Sequence, residues 1–261
     1  MENFSITNRR GLEIVGDISI PKDMRGLSFV LHGLGGYKDQ FHIKMLADVL
    51  YSNDFIVVNF DATNSIGESE GKYEDATMQF HYDDLVDVIS WAKAQSWYVE
   101  PFVLVGHSLG GFAVTKYAEE FSNEAKAIFP YAAVYSGEDS FEASVKFKSD
   151  EFKSWKETGW TYRNSTSKPG IEMKLPWSHM EERLKHDLKP SADKLTMPVL
   201  FVVGENDTSC PPYQQQNFCN LLPETTIKEF HIVKNAPHTF REAEHLEQLK
   251  NIFNNWLKSL K

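Results

Sequence analysis

Short apolar runs alternate along the chain with longer amphipathic segments. Runs at 27–32, 55–60, 102–105, 127–134 and 198–203 have the length and apolar character of buried strands, and 227–233 reads as a sixth strand. Met78, Tyr82, Leu85, Ile89 and Ala92 recur at spacings of 4, 3, 4 and 3, the helix period, and Leu246, Leu249, Phe253, Trp256 and Leu260 recur at 3, 4, 3 and 4 near the end of the chain. Further helices are predicted over 40–53, with Phe41, Met45, Leu46, Val49 and Leu50 on one side, and over 112–121. Residues 1–20 read as two strands joined by a turn at 9–11. Strands that are apolar throughout and separated by helices imply an α/β fold with a parallel sheet covered on both faces. The N-terminal pair is expected to be antiparallel and to lie at an edge.

The alternation breaks at 135–190, which is rich in charge and aromatics and lacks a clear strand. A segment of that length between two core strands predicts an inserted cap. Trp155, Trp160, Tyr162 and Trp177 give it apolar contacts of its own. The expected organisation is one domain over 1–261 with the cap inserted at about 135–190.

Composition narrows the function classes. Apolar residues make up 41% and charged residues 25%, enough to build a core without disulfides or metals. The 27 basic and 37 acidic residues leave a net charge of −10, which argues against nucleic acid as a partner. Cys210 and Cys219 are expected to be free thiols, and no ligands follow them at zinc spacing. Residues 1–10 are polar, without the apolar core of a signal peptide, and no run reaches the roughly 18 apolar residues of a membrane span. A cytoplasmic protein that does not enter membranes is expected. Oligomeric state has no readable signature.

The central chemical signal is Gly106-His107-Ser108-Leu109-Gly110-Gly111, directly after one predicted strand and opening a helix. This is the G-x-S-x-G nucleophile elbow in its required context. A strand turning sharply into a helix strains the serine backbone, and side chains at Gly106 or Gly110 would clash there. A serine hydroxyl needs a base, and the base needs an orienting acid, in the chain order Ser, Asp or Glu, His. Asp207 in Gly204-Glu205-Asn206-Asp207 and His238 in Pro237-His238 each follow a predicted strand, so all three residues fall at one edge of the sheet. Other bases are less well placed: His231 lies within a strand, His245 in the closing helix, and His179 and His186 in the cap. Glu205, Glu138 and Asp139 are alternative acids. A second glycine-rich loop, Leu31-His32-Gly33-Leu34-Gly35-Gly36, offers the Leu34 N–H, with that of Leu109, as an oxyanion hole.

With these motifs the chain resembles serine hydrolases of the α/β-hydrolase superfamily. It is similar to single-domain bacterial esterases that include the cinnamoyl and feruloyl esterases, to serine-aminopeptidase-like hydrolases and to monoacylglycerol lipases. The resemblance implies an eight-stranded, mostly parallel sheet with helices on both faces. It also implies a Ser108, His238, Asp207 triad and hydrolysis of a carboxylic ester without cofactor or metal. Phe60-Asp61 followed by Gly67-Glu68-Ser69-Glu70-Gly71 is a further match, although the intervening 62–66 is one residue longer than in relatives and lacks their first glycine. Ser108 excludes the aspartate nucleophile of dehalogenases and epoxide hydrolases and the cysteine of dienelactone hydrolases.

The expected partner is a small-molecule ester, either a hydroxycinnamate ester or one with a short or medium acyl group. Trp155, Trp160 and Trp177 are candidate substrate contacts. A peptidase of the serine-aminopeptidase type would need an acidic anchor for a free amine, which Glu138, Asp139, Glu142, Asp150 and Glu151 could supply. A monoacylglycerol lipase is a further alternative. A non-enzymatic small-ligand receptor would have no need of all three triad groups.

Overall fold

The computed structural model describes residues 2–260; Met1, where the first predicted strand starts, and Lys261, the end of the expected domain, lie outside the described residues. The N-terminal half runs β1 (Glu2–Thr7), β2 (Glu13–Ser19), β3 (Gly26–Leu31), α1 (Phe41–Ser52), β4 (Phe55–Phe60), α2 (Met78–Ala92), β5 (Phe102–His107), α3 (Leu109–Glu120) and β6 (Ala125–Tyr131). The cap follows as α4 (Gly137–Phe147), α5 (Ser149–Thr158), β7 (Trp160–Asn164), β8 (Glu172–Pro176) and α6 (Ser178–Arg183). β9 (Val199–Gly204), α7 (Pro212–Leu221), β10 (Lys228–Val233) and α8 (Ala243–Ser259) complete the chain.

Eight strands form one sheet in the order β1-β2-β4-β3-β5-β6-β9-β10. β1 pairs antiparallel with β2, and β2 with β4; from β4 onward every pairing is parallel. This is the α/β-hydrolase architecture. The central strands are buried on both faces, as their unbroken apolar runs require. Along β5, Phe102 and Leu104 join one core layer while Val103 and Val105 join the other. The first layer is closed by α2, α3 and α7, and the second by α1 and α8. Among the described residues no helix is long and apolar enough to cross a membrane.

Two local expectations fail. Phe41 is 74% exposed, and the buried side of α1 runs through His42, Ile43, Leu46, Val49 and Leu50. At about 100° per residue, a stripe centred on Ile43, Leu46 and Leu50 turns Phe41 away from the sheet. The cap contains strands after all: β7 and β8 form an antiparallel hairpin, with Thr161 opposite Leu175. Only those two residues of the pair are buried, so no apolar run marks the hairpin in the sequence. The cap has its own small core of Phe152, Trp155, Leu175 and Met180, against which Leu34 and Tyr73 of the main body pack.

Candidate active site

At the end of β5 the chain turns into α3 through Ser108, a non-glycine residue at φ 55°, ψ −110°. The turn is held by backbone bonds: Ser108 N–H donates to Tyr131 O at 3.0 Å, and Val134 N–H donates to Ser108 O at 3.3 Å. The flanking glycines are there for space. A Cβ on Gly106 would overlap the Gly110 carbonyl, and one on Gly110 would overlap the Leu31 carbonyl. α3 therefore begins tight against β3 with the Ser108 side chain above the carboxyl edge of the sheet.

His238 lies in the loop after β10. Its Nε2 stands 3.1 Å from Ser108 Oγ, and its Nδ1 stands 2.8 Å from Asp207 Oδ2. Asp207 follows β9, and its side chain is fully buried. Its other oxygen, Oδ1, accepts the N–H groups of Ser209 and Cys210, each at 2.8 Å. Burial alone would raise the Asp207 pKa. The His238 charge and hydrogen bond, with the N–H groups of Cys210 and Ser209, outweigh burial and hold it below the usual carboxylate value. An ionised Asp207 fixes the proton of His238 on Nδ1, which leaves Nε2 free to accept the serine proton.

The histidine loop is itself braced. His107 Nε2 donates to the His238 carbonyl at 3.1 Å, and the two rings lie 4.9 Å apart. Burial and the neighbouring His42 and His238 push the His107 pKa well below its ordinary value, so it is a neutral donor. His32 plays a similar part on the other side. Its Nδ1 donates to Gly33 O at 2.8 Å and its Nε2 accepts from Ala62 N–H at 3.0 Å, while burial lowers its pKa to about 4. Asp61 accepts from the N–H groups of Lys38 at 2.5 Å and Glu68 at 2.7 Å, tying the Gly67–Gly71 turn to the end of the glycine-rich loop. These bracing roles of His32, His107 and Asp61 are not readable from residue type alone.

The other candidates lie elsewhere. His231 sits beside Glu229 at 3.3 Å, His186 beside Glu182 at 2.6 Å, and His245 on α8. His179, on α6 of the cap, is buried and donates to Ala76 O at 2.7 Å. Glu205 accepts from Asn235 N–H at 2.9 Å, and Asp139 pairs with Lys189 at 3.1 Å. Glu138, Glu142, Asp150 and Glu151 are exposed.

A cavity partly open to solvent lies between Ser108 and the cap. Leu34 lines it together with Ser108. Among the described residues, neither the Leu34 nor the Leu109 N–H donates to a protein acceptor. Of the three tryptophans, Trp155 reaches the cavity. Trp160 borders a different surface depression with Glu74 and Lys185, and Trp177 packs edge-on against Trp155 with ring centres 5.3 Å apart. Sequence reasoning did not single out Lys148, Arg163 and Arg183, which also line the cavity. They carry no motif and come from three separate cap elements. Among the described residues no group of three or more His, Cys, Asp or Glu side chains could hold a metal ion.

The family model described as serine aminopeptidase, S33, matches residues 22–244 of this chain. An acyl transferase of Shewanella hanedai is 30% identical over 133 residues, covering 49% of this chain and 41% of that protein, so the match spans less than half of its length. Among solved structures, Est1E from Butyrivibrio proteoclasticus with ferulic acid bound superposes with a TM-score of 0.79 at 19% identity, covering 98% of each chain. A putative hydrolase from Agrobacterium vitis S4 superposes with a TM-score of 0.80 at 18% identity, covering 100% of this chain and 99% of that one.

Proposed function

The chain belongs to the serine aminopeptidase S33 family, with the α/β-hydrolase fold, and on that premise we propose that it is a serine carboxylic-ester hydrolase working through an acyl-enzyme on a small or medium ester. The observation that carries the reading is the pair of contacts at 3.1 Å and 2.8 Å linking Ser108 Oγ, His238 and Asp207. Ser108 Oγ attacks the ester carbonyl while His238 Nε2 takes its proton. Asp207 stabilises the resulting imidazolium, and the Leu34 and Leu109 N–H groups receive the oxyanion. Collapse breaks the bond to the alcohol, which leaves with the proton from His238. Water then attacks the acyl-enzyme with His238 as base, releasing the acid and restoring Ser108.

Two neighbouring activities fit the cavity less well. A peptidase anchoring a free amine needs a carboxylate in the cavity, and none of the lining residues is acidic. A lipase pocket is apolar, whereas Ser140, Ser144, Ser209 and three cations line this one. A hydroxycinnamate ester is one candidate substrate, supported by the fold shared with Est1E. A cytoplasmic setting is part of the proposal, supported by the free thiols of Cys210 and Cys219. Ser108→Ala is expected to cut turnover of p-nitrophenyl acetate by on the order of 10⁴-fold or more and to abolish fluorophosphonate labelling. Wild-type rates in that variant would remove the mechanism.

A further inference from the structure

The cavity beside Ser108 is lined by three cations, two of which, Lys148 and Arg183, have no ion-pair partner among the described residues. Lys148 of the α4–α5 junction, Arg163 of β7 and Arg183 at the end of α6 line it, and no acidic residue does. In a chain with 37 acidic and 27 basic residues, this sign is opposite to what composition favours. Arg183 is not in an ion pair among the described residues. Its Nη1 donates to Ser140 Oγ at 2.6 Å and its Nη2 to His179 Nε2 at 2.9 Å, while its buried Nε has no partner. His179 cannot share the charge, since burial and the Arg183 charge itself lower its pKa to about 3. The adjacent Glu182 is already committed, to His186 at 2.6 Å and to the N–H groups of Met78 and Gln79 at 3.0 and 3.1 Å. Among the described residues Lys148 Nζ likewise has only a hydroxyl, Ser209 Oγ at 3.0 Å. Arg163 pairs with Glu151 at 2.9 Å and is half exposed.

Cations withdrawn from water without a counter-charge are costly, and packing alone gives no return for them. The cost is offset when an anion enters. A guanidinium bonded only to neutral groups keeps its full charge for a carboxylate or phosphate in the cavity it lines, and an ammonium adds a charge-assisted bond. We propose that the substrate is an ester bearing an additional anionic group, a carboxylate or phosphate, which Arg183 and Lys148 hold in the cap cavity while Ser108 attacks the ester carbonyl. This deepens the esterase reading and rests on it.

The test compares matched esters: mono-p-nitrophenyl adipate with p-nitrophenyl hexanoate, 4-acetoxybenzoate with its methyl ester, and 4-acetoxyphenyl phosphate with 4-acetoxyanisole. These place the anion on the acyl side, on the alcohol side, or as phosphate. Wild type is expected to favour at least one anionic member by about tenfold or more in kcat/KM, the scale of one or two charge-assisted hydrogen bonds. Arg183→Met and Lys148→Met are each expected to reduce that ratio by about tenfold, with thermal melting used to verify folding. Lys148 is the less enclosed of the two, so its variant answers if Arg183→Met does not fold. Equal or reversed preference in all three pairs, or a preference that survives in the folded variants, overturns the proposal. Calorimetry with Ser108→Ala separates it from the esterase reading, because binding there needs no turnover. Tighter binding of monomethyl adipate than of methyl hexanoate supports the anion site even if no ester is hydrolysed. Equal binding of the two, together with equal binding of the phosphate pair, overturns it even if neutral esters are hydrolysed.

Discussion

Ser108 is held in a left-handed backbone conformation that costs on the order of 1–3 kcal/mol for a residue with a side chain. The strain is sustained because Gly110 lets α3 approach β3 at backbone contact distance. Gly110→Ala would drive a methyl group into the Leu31 and His32 carbonyls, neither of which can retreat without moving β3. We expect this variant to lose more than about 3 kcal/mol of stability in urea denaturation and to lose fluorophosphonate labelling. An unchanged denaturation midpoint would contradict the packing account. The motif that carries this residue is legible in the sequence because its requirement is local and steric. Lys148, Arg163 and Arg183 are not legible in that way, since an isolated cation on a cap element reads as an ordinary surface charge.

At the scale of elements, the closing helix illustrates how far periodicity reaches. Leu249, Phe253 and Trp256 lie on the buried side of α8, as their spacing predicts, and Phe253 stacks on Phe129 of β6 with ring centres 4.9 Å apart. Trp256→Ala should cost about 3–5 kcal/mol in urea denaturation, because the cavity it leaves is walled by rigid strands. A loss below about 1 kcal/mol would mean that α8 is not docked as described. Periodicity is less reliable where few residues of an element are buried. In α1 it assigned Phe41 to the wrong side. In the cap hairpin it gave no signal, because β7 and β8 each bury a single residue.

For the whole molecule, buried histidines set the acid limit of stability. Burial is the leading cause in each case. It lowers His32 and His81 to about 4 and His42 and His179 to about 3, and pushes His107 well below its ordinary value. Below pH 6.5, the ordinary histidine value, the unfolded chain takes up protons that the folded chain refuses. The histidine contribution to stability therefore rises with pH across the window from about 4 to 6.5 and levels off above it. Glu119 acts in the opposite direction. Burial raises its pKa from 4.5 to about 8, so its contribution falls as pH rises between those values. Burial also raises Asp61 and Asp84, which act with Glu119, but five histidines against these three carboxylates leave a net loss on acidification, up to about 1.4 kcal/mol per pH unit for each histidine fully engaged. A urea midpoint that stays constant from pH 7 to pH 4 would refute this balance.

The strand and helix order, the two-faced sheet and the three residues at its carboxyl edge follow from short-range properties of the chain: periodicity, glycine at a steric pinch, and polar residues just past apolar runs. What tertiary structure alone decided is which of these meet. His238 and Ser108 are 130 residues apart in sequence and reach hydrogen-bond distance because β5, β6, β9 and β10 lie side by side in the sheet. The charge of the cap cavity was decided at the same level. Its cations converge from α6, β7 and the α4–α5 junction, and convergence of separate elements depends on their packing against Leu34 and Tyr73, a long-range contact that leaves no period in the sequence.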